Sequence, residues 1–146
     1  MSAALLDVNV LIALLDPGHV NFEAAHLWKG SHRDRSWATC PIIINGCVRI
    51  LTKPAYPGIR VTPAEMAEVL RELCAGSGHE FWPDDISLLD NERFDLQQIQ
   101  GPQQLTDVYL LGLAVKRGGQ LVTFDRSIPW RAVRGAKASH LKFLVS

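Results

Sequence analysis

Leu5-Leu6-Asp7-Val8-Asn9-Val10-Leu11-Ile12 decides how this chain is read. An apolar run is broken by one acid and then continues as an apolar, helix-compatible pattern through Leu15. A short buried strand followed at once by a helix has this pattern. The acid falls where the strand ends. In open α/β sheets, ligands bind outside the carboxyl ends of the strands, which makes Asp7 a candidate site residue. Asp7 or Asn9 also suits a helix N-cap, bonding free backbone N–H groups of the first turn.

Residues 1–146 are read as a single domain, because domains of roughly 100–150 residues are the commonest size. A hydrophobic fraction of 47% supports a sizeable core. Fifteen Lys and Arg balance fifteen Asp and Glu. No global basic field therefore advertises nucleic-acid binding, although a local basic face would suffice. No run approaches the roughly 18 apolar residues of a membrane helix. No basic region precedes the apolar N-terminus, as it would in a secretory signal. The expected location is the cytoplasm. Cys40, Cys47 and Cys74 are odd in number and form no C-x-x-C pair, which reads as buried free thiols in a reducing compartment.

Beyond the opening stretch, Asp16-Pro17-Gly18 breaks the chain. His19 to Lys29 reads as a helix with Val20, Ala24, Leu27 and Trp28 as its apolar face. Residues 36–40 make a second short strand. Pro41 suits the first turn of a helix that runs from Ile42 to Leu51, with Arg49 on its opposite face. Thr62-Pro63-Ala64-Glu65 has the cap, proline and reciprocal glutamate of a helix start. Met66, Val69, Leu70 and Leu73 follow as its apolar stripe. Glu80-Phe81-Trp82 reads as a strand. Pro83-Asp84-Asp85 reads as a turn and cap feeding a helix over Ile86 to Leu89. Residues 90–104 are polar, part helix and part loop. Thr106-Asp107 opens a helix that Gly118-Gly119 ends, with Asp107 in its first turn near the positive end of the dipole. Residues 120–124 form a strand ended by Asp125, and residues 140–145 close the chain as an edge strand. Strands alternating with helices give an α/β sandwich with a mainly parallel central sheet.

In that fold Asp7 and Asp125 end two strands and Asp107 opens the helix before the second of them. Parallel strands share one carboxyl edge, so the three acids meet there. Acids brought together repel and raise one another's pKa unless a cation compensates. Oxygen-only ligands favour Mg²⁺ or Mn²⁺ over zinc. Such a site activates water for attack on a phosphodiester.

The blocks Leu6-Asp7-Val8-Asn9-Val10-Leu11-Ile12, Leu105-Thr106-Asp107 and Leu121-Val122-Thr123-Phe124-Asp125 resemble those of a PIN domain. The match is to the VapC-type toxin ribonucleases of bacterial toxin–antitoxin pairs. Residues 40–49 resemble that family's P-x-x-E-N-G-x-x-R block, and the order of the blocks agrees over nearly the whole chain. The resemblance implies a PIN-like α/β/α sandwich and a metal-dependent endoribonuclease cutting structured RNA. It implies a cognate small antitoxin as partner and a homodimer. By the same resemblance Asp7, Asp107 and Asp125 are the catalytic acids and hold Mg²⁺ or Mn²⁺. Asn9 orients the first acid and Thr123 supports the last.

One position departs from the family. Its second-block acid falls at Ile44, which has no ligand atom, so three of four acids remain. This leaves a rival reading, an inactive PIN domain that binds RNA or its antitoxin. A second rival comes from Asp7-Val8-Asn9, which resembles the D-x-D of haloacid-dehalogenase-like phosphatases. There the second acid donates a proton, which Asn9 cannot. Contact with RNA is electrostatic first. Arg49, Lys53 and Arg126 are the main candidates, with Arg60, Lys116, Arg131 and Arg134 behind them. Trp130 and Tyr56 are candidates for stacking on bases.

Overall fold

The computed structural model describes residues 2–145. Five short strands form one sheet: β1 Ala4–Leu6, β2 Trp37–Thr39, β3 His79–Phe81, β4 Gln120–Thr123 and β5 Leu141–Phe143. Their order is β3-β2-β1-β4-β5, and every neighbouring pair runs parallel. The expected mainly parallel sheet is thus wholly parallel, with β5 at one edge. The central strands are apolar on both faces, as a sheet covered on both sides requires. Ala4, Leu5 and Leu6 have no exposed surface.

Five helices cover the sheet: α1 Val8–Leu15, α2 Phe22–Ser31, α3 Pro41–Leu51, α4 Pro63–Cys74 and α5 Leu105–Lys116. Two clusters make up the core. The larger packs α3, α4 and α5 with Leu5, Leu121 and Leu141, and the smaller packs Ala25 and Trp28 of α2 with Leu6, Val10 and Val122. The capping box of α4 forms as expected, with Thr62 Oγ1 accepting from Glu65 N and Glu65 Oε1 accepting from Thr62 N. Cys40 and Cys47 are buried free thiols, and burial pushes both up to about 12, which leaves them unreactive.

Three readings of the sequence are corrected. First, α2 starts at Phe22 rather than His19, because Asp16 Oδ1 accepts from Gly18 N and holds a turn there. Its buried residues are Ala25 and Trp28, whereas Val20 is 87% and Leu27 74% exposed. Second, residues 86–89 form no helix. Asp84 Oδ2 instead accepts from Ile42 N and caps the start of α3 from 42 residues away, and Asp85 pairs with Lys116 and Arg117. Third, the segment 90–104, read as solvated, contributes Phe94 to the core at 1% exposure. An added Cβ on Gly112 of α5 would stand 2.5 Å from the Phe94 ring, so the glycine makes room for it.

Candidate active site

Asp7 lies directly after β1 and caps α1. Its Oδ1 accepts from Val8 N at 2.7 Å, and its Oδ2 accepts from Thr123 Oγ1 at 2.7 Å. The cap reading and the site reading of this residue therefore both describe it. Thr123 ends the neighbouring strand β4, and its fully buried hydroxyl also accepts from Asp125 N at 3.0 Å. One hydroxyl thus ties the first acid to the backbone of the last. Thr123 was expected to support Asp125; its hydroxyl bonds the backbone of that residue and, in addition, the side chain of Asp7.

Asp125 sits two residues past β4. Its Oδ1 accepts from both Ser127 N at 2.8 Å and Ser127 Oγ at 2.6 Å. Ser127 was missed by the sequence reading. The signal was present in Asp125-Arg126-Ser127, since Asp commonly bonds backbone two residues on. Asp107 occupies the first turn of α5, as expected.

The electrostatics join the three acids. Burial, only partly offset by the Thr123 hydrogen bond, raises the Asp7 carboxyl above its ordinary range, and the charge of Asp125 adds to this. Burial, the charge of Asp7, and hydrogen bonding with and the charge of Asp125 push Asp107 up to about 7. The Ser127 hydroxyl and amide, with a hydrogen bond from Asp107, hold Asp125 below its usual value. The two neighbouring carboxyls are thus shifted in opposite directions, Asp107 up and Asp125 down. Among the described residues, none of the three acids is in an ion pair with Lys, Arg or His.

The donor set is all oxygen, which suits a hard divalent cation. The three acids are not drawn into one ligand cluster, however. Among the described residues, no group of three or more His, Cys, Asp and Glu is close enough to hold a metal ion as it stands. Asp7 has both oxygens committed to protein donors, and Asp125 is turned toward Ser127.

The other expected residues scatter around this edge. Asn9 is exposed on α1 and makes no hydrogen bond to Asp7; it lines a cavity of about 800 Å³ with Ile12, Asp16 and Tyr56. None of the three acids lines this cavity. Ile44 is half-buried in the first turns of α3, packed against the larger core cluster. It follows β2, the neighbour of β1, so it belongs to the same sheet edge as Asp7. Arg49 and Lys53 are exposed at the far end of α3, and Arg126 is exposed beside Asp125 with its guanidinium 5.4 Å from the Phe143 ring. Lys116 is taken up by Asp85, Arg60 by the carbonyls of Tyr56 and Ile59, and Arg134 by that of Asn91.

A wholly parallel α/β sheet with acids at its carboxyl edge defines a class of protein, and comparison with known proteins makes it specific. The PIN domain family model matches residues 4–134. Ribonuclease VapC44 of Mycobacterium tuberculosis is 45% identical over 97% of this chain and 99% of that protein. Ribonuclease VapC39 of the same organism is 40% identical over 90% of this chain and 95% of that protein. The crystal structure of PAE2754 from Pyrobaculum aerophilum superposes with a TM-score of 0.54 at 25% identity, covering 92% of this chain and 82% of that one. The chain belongs to the PIN-domain family, and within it to the VapC type. Among the described residues, no helix is long and apolar enough to cross a membrane.

Proposed function

We propose that the chain is a metal-dependent endoribonuclease toxin that cuts structured RNA in the cytoplasm and is neutralised by a small cognate antitoxin. The observation that carries this is the placement of Asp7, Asp107 and Asp125 at one sheet edge of a chain of the VapC type, where burial and the neighbouring acids raise the Asp107 carboxyl. Acids whose charges oppose one another in this way gain from a cation at the same place. Asp7, Asp107 and Asp125 would hold Mg²⁺ or Mn²⁺. When bound, the ion would supply activation of water and stabilisation of charge on the phosphodiester. Thr123 and Val8 N fix the direction of Asp7. Asp107 would give up its proton when the cation is held, and Asp125 would turn from Ser127 toward the centre of the site. Arg126, beside Asp125, and Arg49 and Lys53, at the far end of α3, are left to meet RNA phosphates.

Two features support the partners. The 800 Å³ cavity is lined by Ile12, Val20, Ile50 and Ile59 together with Asn9, which suits the apolar side chains of an antitoxin segment. Phe81 on edge strand β3 and Leu89 are well exposed, which suits the pairing of two copies.

Ile44 favours a second reading, in which the domain retains binding and has lost cleavage. The test compares the unmodified chain with Ile44→Glu on one structured RNA, with Mg²⁺ and with Mn²⁺, beside Asp7→Asn. A glutamate in the first turns of α3 gains from the positive helix end. As a restored ligand or water-positioning base it should raise the rate by roughly 10²-fold or more. If the variant folds and cuts no faster, residue 44 is not a lost ligand. If neither chain cuts above Asp7→Asn, the binding reading replaces the nuclease.

A further inference from the structure

The opposite edge of the sheet, where the strands begin, holds a second charged site. A cavity of about 240 Å³ lies between the end of α2 and the start of β2. Trp28, Lys29, His32, Arg33, Arg35 and Trp37 line it, and no carboxylate does. Since β1 rises roughly 3.3 Å per residue over three residues, this edge stands about 10 Å or more from Asp7.

Basic residues at a helix C-terminus have an ordinary use, complementing the dipole and capping carbonyls. That use accounts for His32, whose Nδ1–H donates to Trp28 O at 2.7 Å while its ring stacks on the Trp28 indole. It does not account for the rest. A helix end carries only about half a negative charge, against three full cations from Lys29, Arg33 and Arg35. Counting Asp34, the carboxylate next to Arg33 in sequence, still leaves more than one positive charge in excess. Among the described residues none of these cations is in an ion pair.

Arg35 is the most telling. Its Nε donates to Ser2 O and its Nη1 to Gln120 Oε1, both at 2.9 Å and both to neutral acceptors. The guanidinium is thereby locked in place, with N–H groups to spare. Burial lowers its pKa from the ordinary value, so the charge is partly desolvated without a counter-charge. Lys29 Nζ is held 5.1 Å over the Trp37 ring. The indole N–H of Trp28 is buried without a partner among the described residues. Two cations held by protein contacts, with the exposed Arg33 beside them, line a small cavity and suit a compact, multiply charged oxygen anion. The cavity is smaller than the roughly 300 Å³ at which drug-sized ligand pockets begin.

We propose that this cavity binds a phosphate group, gripped by Lys29, Arg33 and Arg35 against the Trp28 and Trp37 rings. Arginine suits phosphate because its planar fork donates two parallel hydrogen bonds. The same chemistry is offered by free inorganic phosphate and by a phosphodiester of RNA that passes around the sheet from the acidic edge. The site stands independently of cleavage, since it shares no residue with the acids.

The experiment follows the four indole N–H signals of the ¹⁵N-labelled full chain, with EDTA present and ionic strength held constant by NaCl. One arm adds inorganic phosphate, the other a single-stranded RNA octamer. Saturable movement of the Trp28 and Trp37 signals, with Trp82 and Trp130 still, is expected in at least one arm, and that arm identifies the source of the phosphate. The surface variant Lys29→Met with Arg33→Gln should weaken that binding about tenfold or more, one lost charge-assisted hydrogen bond being enough for this. Unmoved Trp82 and Trp130 signals verify that the variant is folded. No saturable movement in either arm, equal movement of all four signals, or unchanged affinity in the variant would overturn the proposal.

Discussion

Replacing Asp107 by Asn should stabilise the metal-free protein, and by more as the pH rises. The Asp107 carboxyl is pushed up to about 7 from an ordinary 3.8, by burial first and then by Asp7 and Asp125. The unfolded chain releases this proton at the ordinary value. Between about pH 4 and pH 7 the folded state therefore keeps a proton that the unfolded state has lost, so stability falls through that window and levels off above it. A rise from 3.8 to about 7 is worth about 4 kcal/mol. The carboxyl is only partly buried, and solvent screening leaves about 2 kcal/mol of this. Asn carries no charge and can still donate to Asp125. The variant should match the parent near pH 3.5 and exceed it by about 2 kcal/mol at pH 8. For a chain of this size that is about 4 to 8 °C in Tm. Thermal and urea unfolding in EDTA across that range measure it. An increment independent of pH, or a loss at pH 8, would refute the reasoning. Adding Mn²⁺ at pH 8 should then raise the Tm of the parent more than that of the variant, because a ligand stabilises the state that binds it.

Other substitutions probe the supports of the site. Thr123→Val keeps the shape but removes the donor to Asp7 and the acceptor for Asp125 N, at a cost of about 1–3 kcal/mol; an unchanged urea midpoint would contradict this. Asp84→Ala should cost about 1 kcal/mol as a lost helix cap and speed hydrogen exchange at the Ile42 amide, which stays protected if the cap contributes nothing. Gly112→Ala drives a methyl group into Phe94 and should cost about 1–3 kcal/mol by overpacking. Trimming the ring with Phe94→Leu in the same chain should recover part of that loss, and a purely additive double variant would argue against a direct clash.

What could be read from the sequence was local. Asp7, Asp107 and Asp125 sit where apolar runs stop or helix signals start, so their places at one sheet edge follow from topology alone. The α4 capping box lies within four residues and was read correctly. The errors were made where a partner lies far along the chain. Asp84 carries the turn chemistry that suggested a following helix, but it caps α3 instead, and nothing in its own neighbourhood names Ile42. Phe94 lies among polar residues, and only the notch at Gly112 makes it core. In α2 Trp28 is buried as expected, but Ala25 rather than Leu27 joins it, and Val20 falls before the helix, which starts at Phe22. Whether the acids stand close enough to share one ion is set by side-chain rotamers, and neither spacing nor pattern encodes those.

The bond between Thr123 and Asp7 spans 116 residues. Synthesis proceeds from the N-terminus at about 5–20 residues per second, so Asp7 waits several seconds for its donor. Until β4 has emerged, β1 lacks a neighbour on one side and α5 has no completed sheet to cover. Pairings between such distant segments are also the slow ones to form. A growing chain still attached to its ribosome therefore carries the first acid without the rest of the constellation. If the folded protein cuts RNA, a nascent copy gains that ability only after β4 has emerged and supplied the Thr123 donor.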